Sequence, residues 1–74
     1  MEIQVKLFAN FRDGRWKSKN LSFNEIVDIK YILETLQIEE KDLGIALING
    51  TYSKLDCVLK DKDILALFPP IGGG

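Results

Sequence analysis

Ile3, Val5 and Leu7 alternate with Gln4 and Lys6, the period of two expected of a strand with one face in the core and the other in water. Phe8 breaks that alternation by falling on the outward face, where a large aromatic ring gains little unless something covers it. Asp13-Gly14 is a turn signal, and Leu21 with Phe23 marks a returning strand, so the first quarter of the chain predicts a hairpin. Parity constrains its loop. A strict two-residue turn at Asp13-Gly14 would place Leu21 and Phe23 opposite the face of Val5 and Leu7, whereas a three-residue loop with a bulge keeps all of them on the core side.

From Asp28 the period changes. Ile29, Ile32, Leu33 and Leu36 form one stripe of an amphipathic helix, expected over about 28–37, with Asp28 as N-cap and Asn24 as the rival cap. Glu39 to Leu43 reads as a short irregular or single helical turn. Ile45–Ile48 is an apolar run, Asn49-Gly50 is a pair suited to positive φ, and Thr51-Tyr52 follows as a second short strand. Lys60-Asp61-Lys62-Asp63 reads as a charged turn before Ile64–Phe68, a strand with no polar residue that belongs inside a sheet. The order ββαββ with a short edge element predicts an α+β roll, the β-grasp arrangement, in which a mixed sheet packs on one helix and the first and last strands run parallel at its centre. The division expected is a β-grasp domain over 1–68 and an extended C-terminal tail over 69–74.

Seventy-four residues allow one small domain with a thin core, which leaves little room for a deep active site and directs attention to partners. A formal net charge of −1 supplies no field that would hold nucleic acid or an anionic membrane. The absence of histidine and the single cysteine, Cys57, rule out a zinc cluster, an imidazole-assisted nucleophile and an internal disulfide, and make the cytoplasm the default compartment. Arg12, Arg15, Lys17 and Lys19 flank Trp16, a combination that would suit single-stranded nucleic acid but more often marks a solvated hairpin, the reading favoured here. Glu34, Glu39, Glu40 and Asp42 read as a solvated face, and Cys57 as a small buried apolar residue.

After Phe68 the sequence reads Pro69-Pro70-Ile71-Gly72-Gly73-Gly74. Two prolines remove two backbone donors, end the strand and hold the exit extended and stiff. Six residues at about 3.3 Å each reach roughly 20 Å, enough to carry a terminal carboxylate into a partner's buried site. A glycine run alone reads as an inert end; following a Pro-Pro exit from this fold, it reads as a segment built for insertion. Glycines without Cβ suit a carboxylate that must attack a nucleotide's α-phosphate and whose acyl carbon is then attacked in turn, inside a narrow channel that keeps water out.

Several segments carry a family resemblance: Lys6-Leu7-Phe8-Ala9, the helical stripe Ile29, Ile32-Leu33 and Leu36, Ile48-Asn49-Gly50, Leu59-Lys60-Asp61-Lys62-Asp63 and the ending Phe68-Pro69-Pro70-Ile71-Gly72-Gly73-Gly74. Together they make the chain resemble the MoaD/ThiS family of ubiquitin-like sulfur carriers, and within it most the small subunit of molybdopterin synthase. The double proline is what the thiazole-pathway members usually lack. The resemblance implies a carrier that is not an enzyme on its own. An E1-like (MoeB/ThiF-like) enzyme would adenylate Gly74 using ATP and magnesium, a sulfurtransferase or cysteine desulfurase would supply sulfur to form a thiocarboxylate, and a large (MoaE-like) synthase subunit would pass it to a pyranopterin precursor. Gly73 and Gly72 would thread the partner's channel, Ile71 would pack in its entrance, and Phe8, Tyr52 and Phe68, with Pro69 and Pro70 at the exit, would form the docking side. No cofactor is implied on the chain itself. The alternatives are a thiamine-thiazole carrier and a protein modifier joined to lysines through Gly74. Lys62 departs from the family, which commonly has glycine there.

Overall fold

The computed structural model of the protein describes residues 1–70. Five strands and one helix are present: β1 (Glu2–Leu7), β2 (Ser18–Ser22), α1 (Ile29–Leu36), β3 (Ile45–Ile48), β4 (Thr51–Tyr52) and β5 (Ile64–Phe68). They form one mixed sheet in the order β2-β1-β5-β3-β4, with β1 and β5 parallel at its centre and the remaining pairs antiparallel. This is the expected β-grasp roll, and the apolar β5 has its place in the middle. Ile3, Val5, Leu7, Leu65 and Leu67 are fully buried on one face of the sheet, meeting Ile29, Ile32 and Leu33 of α1.

The helix starts at the expected cap. Asp28 has extended backbone, and its Oδ1 accepts the Tyr31 amide at 2.8 Å, satisfying one of the free donors of the first turn. It ends at Gln37, which adopts φ 60° and donates its amide to Glu34 O. Glu40–Asp42 forms a single 3-10 turn, the helical form of the two expected over Glu39 to Leu43. Asn49 and Gly50, at φ 51° and 84°, make the two-residue connection between β3 and β4, which pair Ile48 with Thr51 and Leu47 with Tyr52.

Three sequence expectations are corrected. The link between β1 and β2 is not a short bulged turn but the whole of residues 8–17, including a 3-10 helix at Ala9–Arg12 that buries Phe11 in the core. Ile3 pairs with Leu21 and Val5 with Lys19, so the parity that puts Leu21 and Phe23 on the core side holds. The basic stretch around Trp16 is not simply solvated. Arg15 Nε and Nη2 donate to Leu36 O at 3.3 and 3.2 Å, its Nη1 donates to Phe11 O at 3.1 Å, and Trp16 packs against the core. Cys57 is half-buried against the core where full burial was expected.

The turn before β5 is likewise more than a charged loop. Glu2 N donates to Asp61 Oδ1 at 2.7 Å, and Lys62 N returns the bond to Glu2 O at 2.7 Å. Asp63 accepts Lys60 N through Oδ2 and Asn49 Nδ2 through Oδ1, each at 2.8 Å. Asn49 Oδ1 in turn accepts Ile64 N at 2.9 Å. The pole opposite the tail is therefore laced by hydrogen bonds that join the starts of β1 and β5 to the β3–β4 hairpin, and Lys62 sits at φ 74° to allow it.

Candidate functional site

Because β1 and β5 run parallel, their C-terminal ends emerge at the same pole. Phe8 directly follows the Leu7–Leu67 pair, and Phe68 follows it on the neighbouring strand. With Leu65 and Leu67 buried toward α1, the alternation turns Ala66 and Phe68 to the outer face, where Phe8 also lies. The two rings stack with centroids 4.2 Å apart and planes 12° from parallel. The Arg12 guanidinium stands 5.3 Å from the Phe8 ring centroid, and its Nε donates to Leu7 O at 2.6 Å. One end of the sheet thus carries a fixed aromatic pair capped by a cation.

The register extends this patch across the sheet. Phe68 pairs with Ile45, Ala66 with Leu47, and Leu47 with Tyr52. Ala46 is buried and Ile48 packs on the core, so Ile45 and Leu47 face outward beside Phe68 and Ala66. Tyr52 shares the face but does not join the stacked pair; it stands on the far edge strand, 77% exposed, with β3 intervening. Sequence reasoning named Phe8, Phe68 and Tyr52 and missed Ile45, Leu47, Ala66 and Arg12. The apolar run Ile45–Ile48 contained the signal, since a strand in which only alternate residues reach the core must show the others outside.

Pro69 and Pro70 leave β5 beside this patch. They run past Gly44, whose amide donates to Phe68 O at 2.8 Å, and border a polar cleft of about 350 Å³ that includes Asn10, Arg15, Gln37 and Asp42. Ile71, Gly72, Gly73 and Gly74, expected to carry the insertion and the reactive carboxylate, lie outside the described residues. Among the described residues no group of three or more His, Cys, Asp or Glu is placed to hold a metal ion, and no helix is long and apolar enough to cross a membrane. Asp61 is the group with a displaced titration: the Glu2 amide that donates to it holds its carboxyl below the usual value, and Lys62 adds to the effect. It lies at the pole opposite the tail.

Comparison with known structures finds the same fold in several proteins. The "HVO 2177 protein" of Haloferax volcanii is 26% identical, with a TM-score of 0.80 over 100% of this chain and 87% of that one. The matching chain of the complex of subunits 1 and 2 of molybdopterin-converting factor from Helicobacter pylori 26695 is 25% identical, with a TM-score of 0.67 and 100% of both chains covered. Small archaeal modifier protein 1 of Methanosarcina acetivorans is 27% identical, with a TM-score of 0.73 over 99% of this chain and 96% of that one. Comparison with curated protein sequences returns no match. The sequence itself matches the ThiS family over residues 5–74, from the first strand through the final glycine. With a β-grasp sheet, an aromatic pair where β5 ends and a family match that runs along the tail, the chain belongs to the ThiS family of ubiquitin-like sulfur carriers.

Proposed function

We propose that the chain is the sulfur carrier of molybdopterin biosynthesis and works through the carboxylate of Gly74. The observation that carries this reading is the family match, which continues past the sheet to residue 74, on a fold whose last strand leads into the tail beside a half-buried, outward-facing apolar patch. An E1-like enzyme, using ATP and magnesium, binds the Phe8–Phe68 face and takes Gly73 and Gly74 into its site. There a carboxylate oxygen of Gly74 attacks the α-phosphorus and pyrophosphate leaves. The outer sulfur of a persulfide on a sulfurtransferase or cysteine desulfurase displaces AMP at the acyl carbon to give an acyl disulfide. A second thiol then attacks the enzyme's sulfur, forms a disulfide with it and releases the thiocarboxylate, which serves a large synthase subunit acting on a pyranopterin precursor. Neither strand nor helix supplies a base or nucleophile for these steps; the chain contributes a docking face, a stiff spacer and an uncrowded carboxylate.

The molybdopterin branch is favoured over the thiazole branch by Pro69-Pro70 and by the likeness to the converting-factor complex of Helicobacter pylori. The likeness to small archaeal modifier protein 1 supports a second reading, attachment of Gly74 to lysines of other proteins. Both begin with adenylation, and intact-protein mass spectrometry after incubation with the adenylating enzyme, ATP and a sulfur donor separates them. One oxygen replaced by sulfur is the expected result. Conjugate ladders in the presence of acceptor proteins would favour the modifier, and removal of Gly74 abolishes either product while leaving the fold intact.

A further inference from the structure

The base of the tail rests against a residue that the reaction itself does not require. Gly44 immediately precedes β3, and its bond to Phe68 O continues the β3–β5 pairing one step beyond Ile45–Phe68. A Cβ added at Gly44 would stand 2.7 Å from Pro69 O, 2.8 Å from the Pro69 carbonyl carbon and 2.8 Å from Pro70 Cα. All three are backbone atoms, so no change of rotamer relieves the contact. The chain leaving β5 is thus confined at two points: the Phe68 ring is stacked on Phe8, and the next two residues lie in the space left by the missing side chain of Gly44.

Which side would yield to added bulk follows from what holds each. Ile45 and Ala46 are paired to Phe68 and Leu67, Ala46 is buried, and Leu43 packs on the core with its amide bonded to Glu40 O at 3.1 Å. Pro69 and Pro70 lie beyond the last paired residue and have no N–H to anchor them. The exit moves, and the strand stays.

We infer that Gly44 is a positioning residue for the reactive end: it is the seat that sets the direction in which Pro69-Pro70 leaves the sheet. In its kinetic consequence this rests on the carrier reading above. Two ring-locked residues set the heading from which the rest of the tail starts toward a partner's site, and a misplacement of about 1 Å at a reacting atom is worth up to about a hundredfold in rate. The stacked Phe8–Phe68 pair and its outward neighbours on β3 stay in place, so the loss falls mainly on turnover and not on recognition.

The test compares the full chain with Gly44→Ala, Pro70→Gly and the double variant, using ATP–pyrophosphate exchange by the adenylating enzyme together with proton NMR of the free proteins. Gly44→Ala is expected to lower kcat about tenfold or more while KM for the carrier stays within about twofold. The proton shifts of Pro69 and Pro70 are expected to move while the cross-strand contact between Ile45 and Phe68 remains. In the double variant the freed backbone makes room for the Cβ, and kcat returns to that of Pro70→Gly, which also covers the case in which Gly44→Ala alone folds poorly. Unchanged kcat, a rise in KM matching the loss, unmoved Pro69 and Pro70 shifts, loss of the Ile45–Phe68 contact, or a double variant no better than Gly44→Ala would each overturn the inference. Failure of the unaltered chain to support exchange would instead overturn the carrier reading, and the NMR comparison would still judge the seat.

Discussion

Phe8 and Phe68 lie on adjacent parallel strands, and their rings stack at 4.2 Å on the outer face of the sheet, at the point where the chain departs for its tail. The contact has two consequences, one for the free protein and one for its partners. Stacked pairs contribute about 0.5–1.5 kcal/mol beyond the area they bury, so Phe8→Ala is expected to lower the melting temperature by several degrees without unfolding the domain. On the function proposed above, it also removes an anchor from the docking face. KM for the chain in the adenylation assay should rise about tenfold or more with kcat little changed, the reverse of the pattern expected at Gly44. Titration calorimetry with the partner enzyme checks the same point; unaltered affinity would remove Phe8 from the interface.

Lys62 holds φ 74°, a conformation that costs a residue with a Cβ about 1 kcal/mol and glycine almost nothing. Its ammonium lies 4.0 Å from Glu2 Oε1 with both side chains largely in water, a pair worth little. Lys62→Gly is therefore expected to raise unfolding free energy by up to about 1 kcal/mol and the melting temperature by roughly 4 °C, with adenylation unaffected. Calorimetry decides this directly.

Asp61 predicts a pH dependence. Its carboxylate accepts the Glu2 amide at 2.7 Å, which lowers its pKa in the folded chain. A group depressed on folding adds stability that is fully present above its unfolded value, about 3.9, and lost as the pH falls through the lower folded value. Urea unfolding of the unaltered protein should weaken across that acidic window, and Asp61→Asn should show a shallower decline there. Parallel acid profiles for the two proteins would show that the bond contributes nothing.

Arg15 ties the β1–β2 connection to the last turn of α1 through Leu36 O, where the helix leaves its carbonyls unsatisfied and carries partial negative charge. Bonds from a charged donor are worth about 1.5–3 kcal/mol, so Arg15→Ala is expected to lower the melting temperature by about 8 °C or more. If the basic stretch instead held nucleic acid, the variant would lose binding to single-stranded oligonucleotides; no such binding is expected of either protein.

The strands and helix were legible because each buries one face, and burial leaves a period in the sequence. Ile3, Val5 and Leu7 showed it, as did the stripe from Ile29 to Leu36, and the unbroken Ile64–Phe68 identified the central strand. What was hidden depends on contacts between distant residues. Phe11 has no periodic neighbours, so its burial in the 3-10 turn could not be read. Asp63 and Asn49 are fourteen positions apart, and only the register of β3 on β5 brings them to 2.8 Å. Gly44 looked like any glycine before a strand, because the atoms that demand it belong to Pro69 and Pro70. Phe8 was the exception: a ring on the wrong side of an otherwise regular strand announced the outer face.

The middle of the sheet is also the last of its five strands to be synthesised. Until Ile64–Phe68 has left the ribosome, β1 and β3 have no neighbour between them, and the two hairpins at either end of the sequence cannot be joined. A nascent chain that stops short of β5 has two separate strand pairs and an uncovered helix, so assembly of the sheet waits for β5. A partner that reads the face built by Phe8, Phe68 and β3 therefore meets it only after translation has passed into Pro69-Pro70.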